Sequence, residues 1–356
     1  MCPVCQCVSP VVDPKTKKDV RNGASAGNGD PPLRCGNPAC GAEVRACRHR
    51  VDRSWCNRWV DRNEPAVSTD GNLAPLCVDC RLTTHLPDLS NTAAAAGVQR
   101  MEFAKQRTLY TLRDIGLPID GPGDPLPLTF RFLEDAAAPV QTGHEDGVIT
   151  INLREADPVQ REAARVRFGE PQRTLVGHLR HELGHYYWQR FVQNDAKRLA
   201  SFRQTFGDET NPDYAVAISN YYSGGPKQKW TADYVSAYAT MHPWEDFAET
   251  FNAYLDMRTV LSTTEHFDIR PDVDAGGKPD GDESEFDRMI RRYMVTGLVG
   301  NELNRDLGLP DLVPEVFTPP VRTKLAWIDT LVREVAKPRR LPKQTPSPNP
   351  DTSKIA

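Results

Sequence analysis

The stretch Gly177–Trp188 reads "GHLRHELGHYYW", three histidines and one glutamate inside eight residues. On an α-helix, residues four apart lie one above the other, so His181 and His185 can turn imidazole nitrogens towards one ion. Glu182 sits about 100 degrees round, beside such an ion rather than on it. A general base is needed there, to take a proton from a water whose pKa a zinc ion lowers from about 15.7 towards about 7. "HELGH" is thus an H-E-x-x-H motif. Leu175, Leu179, Leu183 and Tyr186 or Tyr187 recur at helical spacing, which predicts a packed helix rather than a solvated, histidine-rich one.

The surrounding chain is that of an ordinary soluble protein: 356 residues, 26% charged and 39% hydrophobic, room for two or three modules. A net charge of -4 gives no overall electrostatic reason to expect nucleic acid or an anionic membrane as partner. The N-terminus, "MCPVCQCVSPVVDPKTKKDV", has no apolar core of signal-peptide length, and no run of about 18 apolar residues occurs. The expected location is the cytoplasm. All nine cysteines fall between Cys2 and Cys80, which in a reducing compartment argues for a metal module rather than disulfides.

The first 90 residues are Cys-rich and turn-rich, with a polar insertion from Lys15 to Pro32. From Thr92 to Ile115 the spacing of Val98, Met101, Ala104, Thr108, Leu109 and Leu112 predicts a long amphipathic helix, capped by Asn91 and stopped at Gly116. Leu128–Glu134 and Gly147–Leu153 alternate as strands and are expected to neighbour each other in a small sheet. Beyond Pro158 the chain reads as mostly helical, broken at Gly224-Gly225-Pro226 and by the acidic loop Arg270–Glu285. The tail from Lys337 is polar and Pro-rich and reads as disordered.

A catalytic zinc takes three protein ligands and keeps a fourth position open. The third is sought in "HPWEDFAETFNAYL", His242–Leu255, where Pro243 suits a first helical position and Glu245 and Asp246 fall in the first turn. Phe247, Phe251, Tyr254 and Leu255 form an apolar face, while Glu245 and Glu249, four apart, line another. Glu245 is expected as the ligand and Glu249 as the carboxylate that orients a metal-bound histidine. Asp246 is the competing ligand, about 100 degrees away. Tyr238 is the candidate donor to a developing oxyanion, with a core tyrosine as the alternative. His178, one turn before His181 on the same face, could border the site, although it reads first as a hydrogen-bonded structural histidine; His242 stays ambiguous.

These residues carry a resemblance. "TGHEDGVITINLREAD", "GEPQRTLVGHLRHELGHYYWQR", "VSAYATMHPWEDFAETFNAYLDM" and "NELNRDLGLPDLVPEVF" resemble a bacterial family of zinc-binding metallopeptidases with an N-terminal zinc-ribbon domain, over roughly Cys35 to Val335. More distantly, "YATMHPWEDFAETF" is similar to the second zinc-binding region of gluzincins of the anthrax lethal factor type. That likeness implies Tyr238 as transition-state donor, Glu245 as third ligand and Glu249 as the following acid.

The cysteines form the pairs Cys2/Cys5, Cys35/Cys40, Cys47/Cys56 and Cys77/Cys80, with Cys7 left over. Tetrahedral all-cysteine zinc sites draw four thiolates from two such pairs, so two structural zincs are expected. One takes Cys47, Cys56, Cys77 and Cys80, resembling the family's ribbon through "WCNRWV" and "CVDCR". The other takes Cys2, Cys5, Cys35 and Cys40; its second knuckle has a four-residue gap where the family pattern is closer, and Cys7 could replace Cys2 or Cys5. Between Arg34 and Arg81 eight arginines stand against six acidic residues, a faint nucleic-acid signal.

The expectation is an α+β protein: zinc ribbons over 1–90, a mainly helical zincin-like metallopeptidase domain with a small sheet over 91–336, and a disordered tail over 337–356. Its expected chemistry is peptide-bond hydrolysis, as an endopeptidase rather than an exopeptidase, with one catalytic and two structural Zn2+ and a protein or peptide substrate. A strand such as Gly147–Leu153 is expected to pair with that substrate. The rival readings are a DNA-associated protease of the SprT kind, acting on DNA-bound proteins, and a non-enzymatic zinc-ribbon adaptor.

Overall fold

The computed structural model describes residues 11–12, 33–36, 40–62, 67–69, 72–119, 124–136, 138–168, 173–269, 283–311, 313 and 317–337. Cys2, Cys5 and Cys7, the insertion at 15–32, most of the acidic loop and the tail beyond Lys337 lie outside them. The chain divides into two compact units between Leu82 and Thr83, against an expected division near residue 90.

In the first unit, β1 (Val11–Val12), β2 (Leu33–Cys35), β3 (Glu43–Ala46) and β4 (Trp59–Asp61) form an antiparallel sheet in that order, with the short helix α1 (Arg48–Val51) between β3 and β4. A hairpin follows, β5 (Val67–Thr69) with β6 (Asn72–Ala74). The first unit has two buried clusters among the described residues, one around Leu33, Cys35, Val44 and Trp59, the other around four cysteines with Val60 and Leu76.

The second unit opens with β7 (Thr83–His85), then the long helix α2 (Thr92–Asp114). Asn91 caps α2 by accepting from the N–H groups of Ala93 and Ala94, and Gly116 ends it at φ +79°, the left-handed conformation glycine adopts freely. Strands β8 (Thr129–Leu133), β9 (Gly143–Glu145) and β10 (Val148–Asn152) complete a sheet of order β7-β8-β10-β9, parallel except for β9. The expected alternation holds: Phe130 and Phe132 of β8 and Ile149 and Ile151 of β10 are fully buried. Strand β10 ends when the Asn152 side chain accepts from the Arg154 N–H and starts a 3-10 turn. The expectation that Gly147–Leu153 pairs with a substrate is corrected here. β10 pairs with β8 along its length and with β9 over Val148–Thr150, so over those residues neither edge is free. The edge strand beside it is β9, which packs on the motif helix.

Helices α3 (Pro158–Phe168), α4 (Leu175–Phe191), α5 (Ala196–Phe206), α6 (Tyr214–Gly224), α7 (Pro243–His266), α8 (Glu285–Asp306) and α9 (Pro319–Val335) follow. The architecture is α+β and mainly helical. Helix α4 carries the H-E-x-x-H motif through the centre, with α2 and α7 packed against it. Its buried side chains include Leu175, Leu179, Leu183, Tyr186 and Tyr187. Each such side chain contributes about 1.5–3 kcal/mol of transfer free energy. The α4/α7 crossing is close because position 184 is glycine: a Cβ there would stand 2.8 Å from the Ala248 Cα. Arg180 of α4 clamps the same pair through Asp256 and through the Thr259 hydroxyl at 2.9 Å, both on α7.

Candidate metal centre

Two helix starts set the geometry. Thr174 caps α4, its hydroxyl accepting from the Gly177 N–H at 2.9 Å. His242 caps α7: its Nδ1 accepts from the Trp244 N–H, and its Nε2 donates to the Glu209 carbonyl at 3.0 Å. Both ring nitrogens are thereby used, and the ambiguous His242 is a helix cap. Pro243 follows at the first helical position, where its missing N–H costs nothing.

Across the α4/α7 contact, three donor atoms converge. His181 Nε2 lies 3.1 Å from His185 Nε2 and 3.0 Å from Glu245 Oε2, and His185 Nε2 lies 3.4 Å from the same oxygen. Ligands held tetrahedrally about 2.0–2.1 Å from one zinc stand roughly 3.3 Å apart, so the triangle has the right size. Its chemistry also fits. Glu249 Oε1 lies 2.6 Å from His181 Nδ1 and makes that nitrogen the donor, leaving the Nε2 lone pair turned towards the other two atoms. Glu245 Oε2 is buried, and the two Nε2 atoms are the polar neighbours it faces. Three lone pairs facing one point suit a cation. In a metal-free chain a proton serves instead: against the effect of burial, hydrogen bonds with Glu245 and Glu249 push His181 well above the usual imidazole range.

The sequence favoured Glu245 over Asp246 as the third ligand, and the first turn of α7 separates them. Glu245 joins the histidines, while Asp246 turns towards α9 and pairs with Lys324 at 2.6 Å. Glu182 is buried at the site; burial raises its carboxyl above the ordinary range, opposed by His181 and His185. Tyr238 lies in a 3-10 turn packed on α7, its ring centroid 5.9 Å from that of His181. Burial and the Glu245 charge push its hydroxyl well above the usual tyrosine range. His178 points elsewhere, its Nδ1 3.2 Å from Glu155 Oε2.

Two neighbours were not anticipated. The Tyr214 hydroxyl donates to Glu245 Oε1 at 2.7 Å. The Trp244 ring lies against His185, centroids 3.9 Å apart, and His185 Nδ1 has no hydrogen-bond partner among the described residues. Trp244 was legible as part of "HPWED"; nothing near Tyr214 in sequence pointed to a residue 31 positions on.

In the first unit, Cys47, Cys56, Cys77 and Cys80 are all buried with their Sγ atoms within 4.8 Å of one another. Zn–S bonds of about 2.3 Å put tetrahedral thiolates roughly 3.8 Å apart, and Cys56 and Cys77 Sγ are separated by 3.6 Å. The N–H groups of Arg58 and Cys77 donate to Cys56 and Cys47 Sγ, each at 3.3 Å, which favours thiolate sulfur. Asp79, between the last two cysteines, is buried and paired with Arg58. Cys35 and Cys40 share the other cluster of this unit, and Cys2 and Cys5, the partners expected for them, lie outside the described residues.

No helix among the described residues is long and apolar enough to cross a membrane. The family model described as "Putative zinc-binding metallo-peptidase" matches residues 94–331. Three relatives, one from Mycobacterium bovis and two from strains of Mycobacterium tuberculosis, bear the name "Uncharacterized protein"; each is 42% identical over 298 residues, covering 83% of this chain and 84% of theirs. No solved structure matches the chain.

Proposed function

The chain belongs to the family described as "Putative zinc-binding metallo-peptidase", and from that premise we propose that it hydrolyses internal peptide bonds of a protein or peptide substrate. His181, His185 and Glu245 hold the catalytic zinc in this reading, and Cys47, Cys56, Cys77 and Cys80 a structural one. The observation that carries it is the triangle of Nε2, Nε2 and Oε2 atoms with 3.0–3.4 Å edges.

A zinc ion held by His181, His185 and Glu245 would supply Lewis acidity, lowering the pKa of a water and polarising the scissile carbonyl. Glu182 takes the proton of the attacking water. Burial, by raising this carboxyl, makes it a better proton acceptor and lets it keep the proton until the leaving nitrogen needs it. Tyr238, held un-ionised by burial, donates to the carbonyl oxygen as negative charge gathers there. An extended substrate adds to the edge strand β9, beside α4. The cytoplasm suits a cluster of buried cysteines that must stay reduced to serve as ligands.

Glu182→Gln tests the mechanism. Zinc content should be unchanged, and cleavage of a proteome-derived peptide library should fall by about 10²–10⁴-fold. A variant that cleaves as fast as the unaltered chain would show that Glu182 is not the base.

A further inference from the structure

We propose that Tyr214 is a positioning residue for the metal: its hydroxyl fixes the Glu245 carboxylate so that one oxygen alone faces His181 and His185. This rests on the zinc reading of the cluster given above. A glutamate's last torsion is soft and roughly two-fold, so an unrestrained carboxylate can offer both oxygens to an ion or turn away from it. Here Oε1 accepts from Tyr214 at 2.7 Å, and Oε2 is the atom 3.0 Å from His181 Nε2 and 3.4 Å from His185 Nε2.

Tyr214 is itself held. It is the first residue of α6, where Asp213 caps the helix by accepting from the Ala215 N–H at 2.9 Å. Its ring meets His242 and Trp244 edge-on, centroids 5.2 and 5.5 Å apart. His242 caps α7 and Trp244 lies against His185, so Tyr214 is braced by the groups that set the first turn of the ligand helix. The rest of α6 is held loosely: within it only Ala217 is buried. At 2.7 Å from a carboxylate oxygen, which can only accept, the phenol is the donor. Each ligand then has its own neighbour: Glu249 on His181, Trp244 against His185 and Tyr214 on Glu245.

The test removes one oxygen atom. Tyr214→Phe should bind zinc at this site about 10–100-fold more weakly in chelator competition. The visible spectrum of the cobalt-substituted protein should change, while the metal-free variant melts with metal-free wild type. On a Glu245→Ala background the same substitution should cost nothing further in either readout, because the proposed effect of the hydroxyl on zinc binding passes through that carboxylate. Zinc affinity within about twofold of wild type, an equal loss on both backgrounds, or a metal-free variant that does not fold would each overturn the assignment. His185→Ala, measured alongside, separates the two levels. If it leaves zinc binding intact, the zinc reading itself fails; if it loses the ion while Tyr214→Phe keeps it, only the role of Tyr214 fails.

Discussion

A single hydrogen bond decides how His181 presents itself. Its Nδ1 is held by Glu249 at 2.6 Å, so the ring cannot flip and its Nε2 stays on the cluster. Glu249→Gln should weaken zinc binding by about 10–100-fold without changing which residues bind, measured by chelator competition; unaltered affinity would mean the carboxylate orients nothing. His178, one turn earlier, behaves differently. Burial, with Arg173, His181 and Arg161 nearby, depresses it to about 3. Below pH 6.5 the unfolded chain therefore takes up a proton that the folded chain refuses. Stability from this group is complete above that pH and is lost progressively as pH falls towards 3. The fall in Tm between pH 7 and pH 5 should be smaller in His178→Gln than in wild type, and parallel curves would refute a buried neutral histidine. A structural histidine was expected at this position, but its partner was not, because Glu155 comes from another element.

At the scale of elements, the site depends on how closely α4 approaches α7. Gly184, inside the motif, has no room for a Cβ against the Ala248 backbone. Gly184→Ala gains about 1 kcal/mol of helix propensity yet should destabilise the fold by about 1–3 kcal/mol, because the helices must separate. Zinc affinity should fall with it, since His181 and His185 lie on one helix and Glu245 and Glu249 on the other. A variant that melts and binds zinc like wild type would show that the crossing is not tight. Much at this scale was legible beforehand. The start of α7 followed from Pro243 and its acidic first turn, and α2 from its apolar spacing with Asn91 and Gly116 at the ends. The flanking of β10 was not, since alternation reports which faces are buried and is silent on which edges are paired.

The molecule as a whole is two units, each with its own buried cluster and its own group of candidate ligands. Cys77→Ser should lower the zinc content by one ion per chain, His185→Ala by one, and the pair together by two. Loss of both ions in either single variant would contradict independent sites. Stripping the His181 site should leave the helical circular dichroism largely intact, because Phe247, Phe251, Tyr254 and Leu255 bury α7 without help from an ion.

By itself the sequence determined that His181 and His185 share a helical face, that Glu245 opens another helix, and that four cysteines are spaced as knuckles. These follow from local chain geometry, a repeat of 3.6 residues and the fixed φ of proline. Packing added what the spacing left out: that Asp246 turns away to Lys324, that of the two histidines it is His181 that Glu249 reaches, and that Tyr214 and Trp244 complete the surroundings. Those pairings cross between helices. They are set by the depth of the α4/α7 contact at Gly184 and Ala248, a matter of packing that no spacing along one segment encodes.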